Sequence, residues 1–141
     1  MPNFISEDDI ERAMVRRLVE SFGYDSLNCH TSDPEDLNDG SGRRDKREVV
    51  LLDRLKRAAV ALNPEIPEAA IDEGLKEFVD RRQAGSLIAG NREVDSIVRN
   101  GVRVKYKDES GRERNERIQV IDFKNPGSSN NEFLAVTQLW I

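Results

Sequence analysis

Residues 101–141 read GVRVKYKDESGRERNERIQVIDFKNPGSSNNEFLAVTQLWI, and the fold class turns on how this stretch divides. Val102, Val104 and Tyr106 alternate with Arg103, Lys105 and Lys107, the period-two pattern of a half-exposed strand. Asp108 to Gly111 is a turn. Arg117 to Phe123 reads as a second strand, with Ile118 and Val120 on one face and Ile121 and Phe123 on the other. Asn125 to Asn131, which includes Pro126 and Gly127, is the next connection. Phe133 to Ile141 reads as a third strand, apolar on both faces, as in a strand covered on both sides. These are three strands, expected in one mainly antiparallel sheet. An ending on Trp140-Ile141 lacks the usual polar, frayed terminus. The natural protein is therefore expected to continue, and the last strand of this piece to offer an open edge for association.

Upstream of Gly101 the period is helical. Ser6, three residues before Asp9, predicts a capping box. Asp8, Asp9 and Glu11 follow, placed in the first turn where the helix dipole favours negative charge. Ile10, Met14 and Leu18, flanked by Val15, Val19 and Phe22, form an apolar stripe over about four turns, and Gly23 stops the helix. Residues 25–46 hold few large apolar side chains and read as a loop or weakly ordered segment. Glu48 to Leu62 is a second helix, ended by Asn63-Pro64. Pro67 opens a third, with Ala70, Ile71, Leu75, Phe78 and Val79 as its buried face. Gly85 and Gly90 bracket an apolar link. Asn91 is the expected N-cap of a short helix through Arg99, closed by Asn100-Gly101.

The fold class is thus α+β (α/β). Residues 1–24 form an opening helix, 25–100 a helical insertion and 101–141 the three strands.

Composition narrows the function. The 141 residues hold 22 Lys and Arg against 27 Asp and Glu, a net charge of −5. Residues 1–41 alone carry ten acidic and three basic side chains. Nothing here is the strongly basic footprint of a dedicated nucleic-acid binder. No window approaches ~18 apolar residues, and the acidic start MPNFISEDDIE is not a secretory signal. A cytoplasmic protein is expected. A single cysteine, Cys29, excludes an intrachain disulfide and a multi-thiolate metal site. A single histidine, His30, excludes a two-histidine one. Cys29 and His30 are chain neighbours in a loop and make a poor nucleophile–base pair. No Gly-Lys-Ser or Gly-Lys-Thr occurs, so there is no P-loop. Arg43, Arg44, Lys46 and Arg47 form a basic cluster that reads as a solvated loop or helix start, or as a phosphate contact. By itself the chain reads as an α+β piece with no complete active site.

Three segments carry a resemblance. They are Gly101-Val102-Arg103-Val104-Lys105-Tyr106, then Val120-Ile121-Asp122-Phe123-Lys124-Asn125-Pro126, then Asn131-Glu132-Phe133-Leu134-Ala135-Val136-Thr137-Gln138. In this order and spacing they resemble the N-terminal region of the restriction subunit of type I restriction–modification enzymes. The opening Ser6-Glu7-Asp8-Asp9-Ile10-Glu11 with Leu18 and Gly23-Tyr24 is similar too, as are Glu48-Val49-Val50-Leu51, Leu62-Asn63-Pro64 and Asn91.

The resemblance implies the opening part of a PD-(D/E)XK nuclease domain, in which an Asp and a Glu-x-Lys hold Mg2+ and activate water. It further implies a motor that hydrolyses ATP to translocate DNA, and methyltransferase and specificity subunits as partners. No Glu-x-Lys lies between Asp122 and Ile141, so the chain is expected to stop before the metal ligands and to be inactive alone. The opening helix of such domains often carries a Glu near the metal, and Glu11 is the expected counterpart, with a dipole-favoured surface carboxylate as the plain alternative. Two other readings compete: a stand-alone docking or DNA-binding module without catalysis, and a degenerate remnant.

Overall fold

A computed structural model describes residues 4–81, 86–127 and 130–141. These fall into two compact units, one built from Met1–Leu51 with Glu132–Ile141 and the other from Leu52–Asn131.

The first unit opens with α1, Glu7–Phe22. Its capping box forms as the sequence predicts. Asp9 N–H donates to Ser6 Oγ at 3.2 Å, and Ser6 N–H donates to Asp9 Oδ2 at 3.2 Å. Gly23 ends the helix at φ 70°, a conformation that a Cβ would penalise. Glu11 is the fifth helical residue, one position past the acidic first turn of Glu7, Asp8 and Asp9, and not inside it. The apolar stripe is only partly covered. Val15 and Leu18 are half-buried, while Ile10, Met14 and Phe22 stay exposed.

Two strands lie against α1, β1 (Asp25–Asn28) and β2 (Leu134–Thr137), paired in parallel with Asp25 opposite Leu134 and Asn28 opposite Thr137. Tyr24 stacks on Phe133 with ring centroids 5.2 Å apart at the entrance to this pair. The strand expected over Phe133–Ile141 therefore stops at Thr137, because Gln138 turns into the left-handed region at φ 57°. Parallel pairing with residues more than a hundred positions away also replaces the expected antiparallel placement.

Residues 29–51 are turns, and the turns are well organised. Asp33, Asp36, Asp39 and Asp45 each accept the N–H two residues on, from Glu35, Asn38, Ser41 and Arg47. These local bonds offer the backbone an alternative to helix. At their centre sits Arg43, buried, with its guanidinium on Asp39 Oδ2 (3.2 Å), Ser41 Oγ (3.2 Å), Lys46 C=O (2.8 Å) and Trp140 C=O (2.9 Å).

The second unit contains α2 (Leu52–Leu62), α3 (Glu68–Arg81), α4 (Leu87–Asn100) and the antiparallel hairpin of β3 (Val102–Lys107) and β4 (Glu113–Ile118). Helix α2 starts four residues later than Glu48. Helix α4 starts at Leu87 with Ser86 as its N-cap, not at Asn91, because the Ser86 hydroxyl already takes the Ala89 N–H at 3.3 Å. The expected link bracketed by Gly85 and Gly90 is thus mostly helix, with Gly85 outside the described residues.

The hairpin also differs from expectation. Its second strand is the charged run Glu113–Ile118 and not Arg117–Phe123. The tight turn closes with Gly111 N–H on Asp108 C=O and Asp108 N–H on Arg112 C=O, both 2.9 Å, which forces pairing to begin at Glu113. Beyond Ile118 the chain meets two asparagine side chains in place of a strand. Asn63 accepts from Gln119 N–H and donates to Gln119 C=O, both at 2.8 Å. Asn131 does the same to Asp122, at 2.8 and 3.0 Å. Both amides are buried. They satisfy backbone groups that a sheet neighbour would otherwise take.

The four described strands consequently form two pairs, not one three-stranded sheet. The core of this unit gathers Ile71, Leu75 and Phe78 of α3 against Val102, Val104 and Ile118, closed by Ala59 and Val120. A Cβ at Gly74 would stand 2.7 Å from Ile118 Cδ1, so a glycine inside α3 lets the helix approach the hairpin closely.

Candidate functional site

The residue singled out on the opening helix has a defined place in the first unit. Glu11 is half-buried on the side of α1 that faces the strands, whereas Glu7 is exposed at the cap. Gln138 Nε2 donates to Glu11 Oε2 at 2.8 Å. Gln138 reaches back because its backbone leaves the strand in the left-handed region, a cost of roughly 1–3 kcal/mol for a residue other than glycine. Beside Glu11 a cavity of about 360 Å3 opens between α1 and the two strands, with Arg12, Arg16, Ser26, Asn28 and Thr137 along its wall. A carboxylate with one oxygen held by an amide and neighbours of both signs can orient a water or a cation. It cannot make a metal centre by itself. Among the described residues no group of three His, Cys, Asp or Glu side chains converges.

The other sequence candidates fare differently. Arg43 is buried and fully engaged, Lys46 is held by Glu35, and Arg47 is clasped by Asp45 at 3.0 Å. That bonding draws the Asp45 carboxyl down to about 2, with Arg47 as the main cause. Within the basic cluster only Arg43 is therefore buried framework; Lys46 and Arg47 are tied to carboxylates, and Arg44 and Arg47 are exposed. Cys29 is buried while His30 is exposed and held through its N–H by Asn28, so the two do not act together. Asp122 organises its own turn. It accepts Lys124 N–H, Asn125 N–H and Asn130 Nδ2, each at 3.0 Å, and these bonds, Asn125's first, hold its carboxyl below the ordinary value. Gln138 escaped the sequence reading. The signal for it was a single amide side chain inside the apolar run LAVTQLWI.

No helix among the described residues is long and apolar enough to cross a membrane. Residues 4–141 match the family described as the type I restriction enzyme R protein N terminus. The type I restriction enzyme HindI endonuclease subunit of Haemophilus influenzae is 33% identical over 138 residues, which cover 97% of this chain and 12% of that protein. No solved structure matches. The chain spans about one-eighth of the length of its curated relative. A match along almost its whole length shows that the chain belongs to the type I restriction enzyme R protein N-terminal family.

Proposed function

We propose that this region opens the nuclease domain of a restriction subunit, and that the full-length protein is an ATP-dependent DNA translocase and endonuclease that cuts unmodified foreign DNA. The observation that carries the reading is the family match over residues 4–141, reinforced by 33% identity to an endonuclease subunit. The domain is of the PD-(D/E)XK type. Its Mg2+ ligands and its ATP-hydrolysing motor belong to parts of the protein other than the residues described here. The partners are DNA and the methyltransferase and specificity subunits, in the cytoplasm.

Within that protein the chain's own contribution is Glu11. Fixed by Gln138 and standing beside a cavity, its carboxylate would orient a water or ligand next to metal-binding carboxylates, an outer position whose loss typically costs ten- to a hundred-fold. The test is Glu11→Gln in the full-length subunit assembled with its partners. DNA cleavage with Mg2+ and ATP should fall by about ten-fold or more, while ATP hydrolysis stays near the wild-type rate and Glu7→Gln cleaves normally. Equal cleavage by Glu11→Gln and wild type makes Glu11 a surface charge. Absence of ATP-dependent cleavage by the wild-type assembly refutes the wider reading.

A further inference from the structure

The hairpin of the second unit presents a face that its fold does not need. In the β3–β4 register Arg103 stands opposite Arg117, Lys105 opposite Asn115 and Lys107 opposite Glu113. All six side chains are exposed, while Val102, Val104 and Ile118 point to the core. Alternate β3 residues lie about 6.5–7 Å apart, so Arg103, Lys105 and Lys107 form a straight row of positive charge.

Two features set this row apart from an ordinary solvated face. First, none of Arg103, Lys105, Lys107 and Arg117 has an ion-pair partner among the described residues, although the chain as a whole carries −5. Some cations elsewhere are held by carboxylates: Arg99 by Asp95, Lys56 by Glu68 and Asp72, and Arg114 by Asp108. Arg16, Arg17, Lys76 and Lys124, like these four, have no ion pair among the described residues. What distinguishes the row is that its unpaired cations follow one another along a single strand face. Second, the turn bond from Asp108 N–H to Arg112 C=O fixes the ladder's alternation. It places Arg103 and Arg117 at a non-hydrogen-bonded position, where facing side chains come closest. Like charges set opposite each other destabilise a hairpin. Only a faint bond, Arg117 Nη1 to Asn100 C=O at 3.4 Å, offsets it.

We propose that this face, Arg103, Lys105, Lys107 and Arg117, binds the phosphate backbone of duplex DNA. A row of evenly spaced, unpaired cations matches a regular polyanion, and two guanidiniums converging from neighbouring strands can grip one phosphate between them. Arg103, Lys105 and Arg117 also border a large cavity beside β3 that Glu73, Glu77 and Glu93 line too. Those carboxylates disfavour a small anion inside it, whereas a duplex laid along the exposed strand face spans Arg103, Lys105, Lys107 and Arg117 from outside. Contacts of this kind position DNA without reading its sequence.

The inference rests on the reading that the parent protein acts on DNA. It is tested with the full 141-residue chain and a fluorescently labelled 20-base-pair duplex, by anisotropy between about 25 and 150 mM salt without Mg2+. Four phosphate contacts predict a slope of log K against log salt near −3.6, at about 0.9 per contact. The double variant Arg103→Gln, Arg117→Gln should lose about half of that slope and bind at least ten-fold more weakly at low salt. The quadruple variant, with Lys105→Gln and Lys107→Gln added, should bind no better than background. Lys124→Gln, an exposed cation off this face, should leave the slope unchanged. Melting temperatures of the double and quadruple variants should equal or exceed that of wild type, since a repulsion has been removed.

Four results overturn the proposal: a wild-type chain that ignores duplex DNA, variants that keep the wild-type slope, a fall in melting temperature that marks the pair as structural, or equal hairpin-dependent binding to anionic vesicles or polyglutamate. Variants that retain wild-type binding remove only the hairpin from the DNA path. Hairpin-dependent binding alongside an assembly that never cleaves removes only the endonuclease reading.

Discussion

Arg43→Met isolates the interaction on which the turns of the first unit depend. The change keeps most of the side chain's length and apolar stem and deletes the guanidinium. Asp39 then remains with its side chain about 3% exposed, with the Ser41 N–H at 2.8 Å and no cation. The carbonyls of Lys46 and Trp140 lose their charged donor. Removing one partner of a buried pair costs about 3–5 kcal/mol, because the other charge is left uncompensated. Total stability is expected near 5–15 kcal/mol, so this is a large fraction. Trp140, the chain's one tryptophan, sits at the site and reports through its fluorescence in a urea titration. With a slope of about 1–3 kcal/mol/M, the midpoint should fall by about 1–5 M.

The same argument makes a second demand. Replacing both partners, Asp39→Leu with Arg43→Met, should recover more than half of the loss, since two apolar groups need no compensation. A single variant that loses less than about 1 kcal/mol, or a double variant no better than the single, would refute the claim that the pair is buried and mutually dependent.

Gly101→Ala should cost about 1–3 kcal/mol, because Gly101 has φ 85° and an added Cβ would lie 2.9 Å from the Ile118 carbonyl oxygen. Thermal melts check it, and an unchanged midpoint would show that the backbone there relaxes. Asn63→Ala should lose about 1–3 kcal/mol for each backbone group of Gln119 left unpaired, and hydrogen exchange should quicken at Gln119 first. Asp108 is drawn down to about 2 by bonds from Ser110, Arg112 and Arg114, Ser110's first. Its folded-state value lies below the ordinary 3.8, so its stabilisation is complete above 3.8 and is lost as pH falls towards 2. NMR titration of its carboxyl carbon should give a midpoint near 2, and a midpoint near 3.8 would show that the turn does not hold the carboxylate.

What the sequence discloses follows the range of the forces involved. The Ser6 capping box, the Gly23 stop and the Asn63-Pro64 break act within four residues, and α1 and the end of α2 lie where those signals put them. Pairing partners are set at long range, and there the pattern misleads. Asp25–Asn28 is short, mostly polar and exposed, and it becomes a strand only because Leu134–Thr137 lies beside it. The run 119–123 alternates like a strand, yet its neighbours are the amides of Asn63 and Asn131. Arg43 reads as one cation in a cluster, since nothing local shows that the Trp140 carbonyl, 97 residues on, will claim it. Glu11 was legible as a carboxylate near an apolar stripe, but its tie to Gln138 spans 127 residues and lies beyond any periodicity.

Cys29, wholly enclosed between the parallel strands and the Asp39–Arg43 turns, turns the first unit into its own gauge of opening. Burial, aided by the Asp39 charge and opposed by Arg43, pushes its thiol above 9.0, and thiol reagents attack the thiolate. In the closed protein the sulfur is therefore both shielded and protonated. A labelling reagent reacts only with molecules in which the turns have come apart, so the rate of modification counts those excursions directly. One native cysteine thus gives a site-specific clock for breathing of the region that holds Glu11, with no engineered label and no change to the sequence.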